Sequence, residues 1–216
     1  MNPSVFVGIP SGTEWKADFG LCLASMIGSI GRPLPGGRRI ERVQLWNTKG
    51  SILSRSRTTL VKQAIETKCS HILFIDTDMT FPTSTLHRLL HWQKPIVAAN
   101  CVTKGIPANP TARLKSEVPA GKCITSEGKR GLERVWRVGT GVMLIETRVF
   151  DKLPQPWFPI VWNPLTQDYT GEDWSFCELA EAHGFDIFVD HDLSPLVGHI
   201  GSITYGHEHI DKEPSC

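Results

Sequence analysis

Two aspartates separated by one residue follow a short apolar segment in the first half of the chain. Residues 71–75 predict a buried strand, and Asp76 and Asp78 lie at its carboxyl end. Ligands bind at this end of the strands in open α/β sheets. Adjacent carboxylates repel each other unless a cation joins them, and their oxygens suit Mg²⁺ or Mn²⁺ bridged to phosphates. A solvated turn with an N-capping aspartate is the alternative interpretation.

Two arginines fall early in a helix predicted over residues 51–67. Arg55 and Arg57 are unfavourable there, because the helix dipole places partial positive charge at this end. A bound phosphate would remove the conflict, whereas the alternative is that both arginines are exposed beside acidic neighbours. The predicted buried stripe of this helix is Ile52, Leu53, Leu60, Val61, Ala64 and Ile65.

A second pair of carboxylates opens a helix late in the chain. Glu172 and Asp173 follow a glycine, at a position where N-capping and the dipole favour negative charge. The functional alternative is a general base whose ionised form the dipole supports. His199 lies in a later apolar segment, where a histidine is either a hydrogen-bonded core residue or a ligand that completes a metal shell.

Small residues mark two further places where backbone can approach a ligand. Pro10 and Ser11 end a strand predicted over residues 5–9, and residues 139–141 (Gly-Thr-Gly) separate two β-like segments. The alternatives are an ordinary turn and a plain hairpin turn. The predicted loop 154–170 contains Trp157, Phe158, Trp162 and Tyr169, which either stack on sugars or bases or attach the loop to the core.

The elements that must position these residues alternate between strand and helix. Strands are predicted over 5–9, 39–46, 71–75, 94–100 and 185–189, and helices over 17–30, 51–67, 82–92 and 172–182. Val43 and Leu45 are expected to face inward, and residues 104–132 to form a loop with a hairpin. This order predicts an α/β fold with a mostly parallel central sheet flanked by helices.

Composition excludes several classes of protein. The net charge of +1 implies no general attraction to nucleic acid or membranes, although residues 104–137 carry eight Lys/Arg against three Asp/Glu. The six cysteines form no Cys-x-x-Cys pair and are expected to be reduced. No signal segment or membrane-spanning apolar stretch is seen, so we expect a cytoplasmic protein without a membrane span.

The order of these motifs resembles a glycosyltransferase with the GT-A fold. The resemblance is to the small family-2-like enzymes of bacteria and their phages. It is carried by the first strand and turn, the arginine-bearing helix, Asp-x-Asp, Gly-x-Gly, Glu-Asp and the downstream histidine, in this order. The resemblance runs from Val5 to about Tyr205. It implies one domain over 1–216. Residues 1–103 would be the nucleotide-binding half, and residues 104–216 would complete the metal site and form a smaller acceptor-side lobe.

The resemblance also implies roles for individual residues. Asp173 would be the catalytic base with Glu172 beside it, and Asp76, Asp78 and His199 would hold Mn²⁺ or Mg²⁺. The nucleotide-sugar donor, with a UDP-sugar favoured, would contact Pro10, Ser11, Arg55, Arg57, Asp76, Thr77, Gly139, Thr140 and Gly141. The acceptor stays open between a glycan, a protein and a modified nucleic acid, and so does the oligomeric state.

Two other functions compete with this expectation. Residues 75–80 also resemble the Asp-x-Asp-x-Thr motif of haloacid-dehalogenase-type phosphatases, in which Asp76 would be the nucleophile. That motif usually ends the first strand of the fold, whereas two strand–helix units precede it here. A non-catalytic module that binds a nucleotide sugar would keep the fold and need no base.

Overall fold

A computed structural model describes residues 2–210 of the chain. The α helices are α1 (Ala17–Gly28), α2 (Leu53–Glu66), α3 (Thr85–His91) and α4 (Glu172–Ala182). The strands are β1 (Ser4–Ser11), β2 (Arg42–Lys49), β3 (His71–Ile75), β4 (Met79–Thr80), β5 (Ile96–Ala98), β6 (Arg113–Leu114), β7 (Lys122–Cys123), β8 (Leu132–Val135), β9 (Val142–Glu146), β10 (Val161–Asn163), β11 (Asp168–Thr170), β12 (Ile187–Asp190), β13 (Gly198–Ile200) and β14 (Thr204–Tyr205). The predicted alternation of strands and helices, and with it the α/β fold, is confirmed.

A seven-stranded sheet organises the molecule, in the order β2-β1-β3-β9-β5-β12-β8. β1 pairs in parallel with β2 and β3, and β5 pairs in parallel with β12, while β8 and β9 run in the opposite direction. Strands from both halves of the sequence therefore share one sheet. A smaller sheet, β14-β13-β4, brings the segment after Asp78 against the segment that holds His199.

Both faces of the large sheet are covered by helices. Alternate residues of β3 point to opposite faces, so that Ile72 and Phe74 pack with α2 and α4, whereas Leu73 and Ile75 pack with α1 and α3. A strand buried on both faces requires continuous apolar sequence. This is why residues 72–75 are apolar without interruption.

Some predicted inward-facing residues are exposed. β2 is an edge strand, and Leu45 is 47% exposed although it was predicted to face inward. In α2, Leu60, Val61 and Ala64 are buried as predicted. The prediction is wrong for Ile52 and Leu53, which are exposed because the start of α2 borders open clefts instead of the core, and for Ile65 in the last turn of α2, which is 37% exposed.

Three further expectations have clear outcomes. The hairpin-turn interpretation of residues 139–141 is wrong, because β8 lies at the sheet edge while β9 lies between β3 and β5. The predicted hairpin within 104–132 is present as β6 and β7. The expectation that every cysteine is reduced is wrong at Cys123, which is disulfide-bonded.

Among residues 2–210, no helix has the length and apolar character needed to span a bilayer.

Candidate functional site

The candidate site lies at one edge of the sheet, where four strands place their ends together. Asp76 follows β3 directly, and its backbone N–H donates to the carbonyl of Gly141 at 3.0 Å. β9 runs antiparallel to β3, so its start, next to Gly141, meets the end of β3. Ser11 ends β1, and residues 101–104 follow β5. The meeting of these ends is a consequence of sheet topology, as it is in other open α/β sheets.

Two adjoining cavities bring nearly all of the predicted site residues together. The first, of about 250 Å³, is lined by Pro10, Ser11, Asp76, Thr77, Asp78 and His199, together with Gly12, Gly50, Ser51, Leu53 and Ser56. The second, of about 400 Å³, shares Asp76, Asp78 and His199 and adds Arg57, Gly139, Thr140, Gly141, Glu172 and Asp173. Arg55 is separate from both, because it is exposed and borders a neighbouring depression beside Lys49 and Thr59.

Arg57 is the centre of a buried ion-pair network. Its side chain is 2% exposed, and its Nη2 donates to both carboxylate oxygens of Asp76 at 3.0 and 3.2 Å. Its Nε donates to Glu172 Oε1 at 3.3 Å. Burial alone would lower the pKa of Arg57, but Asp76 and Glu172 outweigh burial and raise it. The conflict between Arg57 and the helix dipole is thus resolved by carboxylates of the chain itself.

Asp78 accepts hydrogen bonds from two cationic or potentially cationic side chains. Lys104 Nζ lies 2.6 Å from Asp78 Oδ2, and His199 Nε2 lies 3.3 Å from the same oxygen. Burial would raise the pKa of Asp78, but the hydrogen bonds from His199 and Lys104 hold it well below its usual range. Asp78 is therefore a carboxylate at neutral pH.

His199 is oriented by its second ring nitrogen. Its Nδ1 lies 2.8 Å from the carbonyl oxygen of Val102, which can only accept, so Nδ1 carries the proton. In the neutral ring, Nε2 then presents a lone pair towards Asp78 Oδ2. Two acceptors 3.3 Å apart require a positive charge between them, supplied either by a second proton on the ring or by a bound cation.

These donors fit a divalent cation with two protein ligands. Asp78 and His199 supply one oxygen and one nitrogen, and Mg²⁺ or Mn²⁺ commonly completes its shell with water and substrate phosphates. Asp76, the third predicted ligand, is held by Arg57 through both of its oxygens. Residues 2–210 accordingly contain no group of three side chains arranged to hold a metal by themselves.

Asp173 faces the same cavity from the first turn of α4. Burial raises the pKa of its carboxyl to about 6, and the nearby charge of Glu172 adds to the rise. The predicted influence of the helix dipole is thus smaller than the cost of burial, although Asp173 still ionises below neutral pH. Its Oδ1 accepts from the backbone N–H of Trp174 at 2.8 Å, which fixes the side chain over the cavity.

Two hydroxyl groups next to Asp173 have no hydrogen-bond partner. Thr111 Oγ1 and Thr140 Oγ1 are buried, line the second cavity and are unpaired within the described residues. Thr140 is 1% exposed. Buried hydroxyls without protein partners are costly, so these two are available to water or to a polar ligand in the cavity.

Lys104, Thr111 and Val102 were not predicted from the sequence. Val102 and Lys104 lie a few residues beyond β5, whose carboxyl end reaches the same edge as the end of β3, and Thr111 returns to this segment through a backbone hydrogen bond to Cys101. Ligands bind where parallel strands end, so the end of β5 is a signal for this segment just as the end of β3 is for Asp76 and Asp78. In the sequence, Lys104 is one of several cationic residues of a basic loop.

The aromatic residues of loop 154–170 divide into two groups. Trp157 and Phe158 are buried and pack with Phe150 and Phe176, so they attach the loop to the core. Trp162 and Tyr169 are exposed on the β10–β11 hairpin, with their rings 5.2 Å apart in an edge-on arrangement. Attachment of the loop to the core is confirmed for Trp157 and Phe158, whereas stacking on sugars or bases stays a prediction for Trp162 and Tyr169.

Comparison with known proteins gives information about the fold alone. No family model matches the sequence, and no curated protein matches it. Among solved structures, the chain is similar to A197 from STIV, with a TM-score of 0.61 and 14% sequence identity. The match covers 100% of this chain and 97% of that chain, so the whole α/β architecture is shared.

Proposed function

We propose that this protein is a metal-dependent glycosyltransferase of the GT-A fold, which transfers a sugar from a nucleotide-sugar donor to an acceptor hydroxyl. One observation carries the proposal: a single cavity contains Asp76, Asp78, Glu172 and Asp173 against the permanent cations Arg57 and Lys104. The four carboxyl groups outnumber the two permanent cations by two. A divalent cation would neutralise that excess, and its remaining positions would take phosphate oxygens.

The adjoining cavities support separate positions for the parts of the donor. The first cavity, beside Pro10 and Ser11, offers small residues and backbone to a nucleoside. Asp78 and His199 lie in both cavities and would hold the cation, which supplies Lewis-acid stabilisation of the departing diphosphate. Gly139, Thr140 and Gly141 lie in the second cavity, on the side where the sugar would reside.

Asp173 is suited to remove the proton from the acceptor hydroxyl. A pKa of about 6 leaves it mostly ionised at neutral pH yet close enough to that pH to accept a proton efficiently. The charge of Arg57 lowers the pKa of Asp173 and so opposes the effect of burial, and Arg57 also pairs with Glu172 and Asp76 nearby. One base and no positioned nucleophile favour inversion at the anomeric carbon.

The phosphatase alternative receives less support from the geometry. Its nucleophile would be Asp76, but both carboxylate oxygens accept from Arg57, and such bonds lower nucleophilicity and restrict approach. A non-catalytic binding module would not use Asp173. The behaviour of an Asp173 variant therefore separates that alternative from an enzyme.

The proposal is tested by a thermal-shift screen of nucleotide sugars with Mn²⁺, with Mg²⁺ and with EDTA. A donor at about a hundred times its dissociation constant adds about 2.7 kcal/mol to the free energy of unfolding. We expect a UDP-sugar to stabilise the protein only when the metal is present. Equal stabilisation in EDTA, or none by any nucleotide sugar, would contradict a metal-dependent transferase.

A further inference from the structure

Lys104 occupies a position that a metal ion would otherwise take. Its ammonium contacts Asp78 Oδ2 at 2.6 Å, and this is the same oxygen that faces His199 Nε2. Both side chains are partly accessible, Lys104 being 45% exposed and Asp78 27% exposed. A divalent cation bound to Asp78 and His199 would repel an ammonium at this distance, so the two cannot share the oxygen.

The loop that presents Lys104 is closed and fixed at its base. The backbone N–H of Thr103 donates to the carbonyl of Asn109 at 2.8 Å, and the backbone N–H of Asn109 donates to Thr103 Oγ1 at 3.1 Å. Val102, one residue earlier, orients His199 through its carbonyl oxygen. The same segment therefore positions the histidine ligand and supplies the competing ammonium, while the long side chain of Lys104 is left free to change partner.

We propose that Lys104 is an exchangeable cation of the donor site. In the empty site its ammonium neutralises Asp78, and when a divalent cation arrives with a nucleoside diphosphate, Lys104 leaves Asp78 and pairs with the diphosphate. Lys104 lines the second cavity, so its ammonium remains within the site after the exchange. This inference rests on the proposed function. It means that Lys104 lowers the affinity of the site for metal alone and raises its affinity for metal together with a diphosphate.

The physical basis is the charge of each state. Without a ligand, Asp78 is a partly buried carboxylate close to the carboxylate of Asp76, and the ammonium of Lys104 offsets that negative charge. With metal and diphosphate bound, the phosphate oxygens become the strongest acceptors in reach, and hydrogen bonds between ammonium and phosphate are charge-assisted. Metal alone offers Lys104 no new partner, so metal alone is bound weakly.

The test measures Mn²⁺ binding by electron paramagnetic resonance and UDP binding by calorimetry in Lys104→Met. This change keeps an apolar side chain of similar length and removes the charge. We expect Mn²⁺ alone to bind up to about fivefold more tightly, because a salt bridge that competes for the ligand is removed. We expect UDP in saturating Mn²⁺ to bind about tenfold more weakly, because a charged hydrogen bond to phosphate is lost.

Two companion variants serve as controls. Lys129→Met removes an ammonium that also lies 2.6 Å from a carboxylate, that of Glu133, with similar exposure but outside both cavities, and both affinities should stay within about twofold. Lys104→Arg keeps the charge and should restore most of the UDP affinity. Circular dichroism melts of all the variants identify any that fail to fold.

The outcomes separate this inference from the proposed function. The exchange is overturned if Lys104→Met binds Mn²⁺ no more tightly than the wild type, or if its UDP affinity in the presence of Mn²⁺ is unchanged. In that case the proposed function still stands, provided that the wild type binds UDP in a metal-dependent way. If neither the wild type nor Lys104→Met binds UDP in a metal-dependent way, the proposed function fails and the exchange fails with it.

Discussion

Asp173→Asn should make the protein more stable and less active, with a stability gain that depends on pH. Burial raises the pKa of the Asp173 carboxyl from 3.8 to about 6, so the folded state favours the protonated form. As pH rises, the carboxyl ionises first in the unfolded chain, near pH 4, and only near pH 6 in the folded chain. The wild type therefore loses stability between about pH 4 and about pH 6. Above pH 6 the full penalty applies, at most about 3 kcal/mol.

The asparagine carries no charge and so avoids the penalty. Its stability advantage should be about 1–3 kcal/mol at pH 7.5 and fall to about 0.5 kcal/mol at pH 4, where the wild-type carboxyl is protonated in the folded state and only about half ionised in the unfolded chain. Urea unfolding at the two pH values measures the difference. Asp168→Asn is a matched control, because Asp168 also accepts from the backbone N–H of the next residue but is exposed, and its stability should not change with pH in this way.

Turnover should move in the opposite direction. Loss of a general base lowers the rate by roughly a hundred- to ten-thousand-fold, while donor affinity should persist because the proposed metal and diphosphate site is at Asp78 and His199. In the wild type, kcat/KM should decrease as the pH is lowered through the pKa of Asp173, about 6, because the base becomes protonated. A stability difference that is equal at pH 7.5 and pH 4 would refute the burial argument, and wild-type turnover in Asp173→Asn would refute the role as base.

Arg57→Met should lower the free energy of unfolding by about 3–5 kcal/mol, because it leaves Asp76 and Glu172 partly buried without a partner, whereas Arg55→Met should change it by less than about 0.5 kcal/mol. Equal effects in denaturant titrations would contradict the central role of Arg57. Phe158→Ala should cost about 3–5 kcal/mol, because it empties a fully buried site, whereas the exposed Tyr169 should tolerate alanine with little loss in the same assay. His199→Ala should abolish stabilisation by UDP and Mn²⁺ while preserving the melting temperature of the free protein to within a few degrees, and retained metal-dependent stabilisation would remove His199 from the site.

The elements of the fold could be predicted from local sequence to the extent that burial is periodic. β3 and α3 follow from apolar residues at strand and helix spacing, and α4 follows from its glycine and carboxylates at one end and Gly184 at the other. The exposed first turn of α2 could not be predicted in the same way. Its apolar residues match the helical period, but whether a neighbouring element covers them depends on where the cleft opens.

The candidate site could be predicted as a set of residues but not as a set of contacts. Asp76, Asp78, Asp173 and His199 were selected by residue type, by position at strand or helix ends and by the resemblance of their order, and the structure brings all four to one cavity. Position after a strand is a local property that a sequence displays directly. The partners of these side chains are not local, since Arg57 and Glu172 are separated by 115 residues.

The sequence by itself determined which residues are charged, which segments can be buried and where each segment ends. The tertiary structure alone decided that Arg57 is enclosed by carboxylates, that Lys104 contacts Asp78 and that the carboxyl of Asp173 titrates near pH 6. Desolvation and Coulomb interaction depend on which groups come within a few ångströms of one another. In this chain that proximity is produced by a sheet in which β9, late in the sequence, is inserted between β3 and β5.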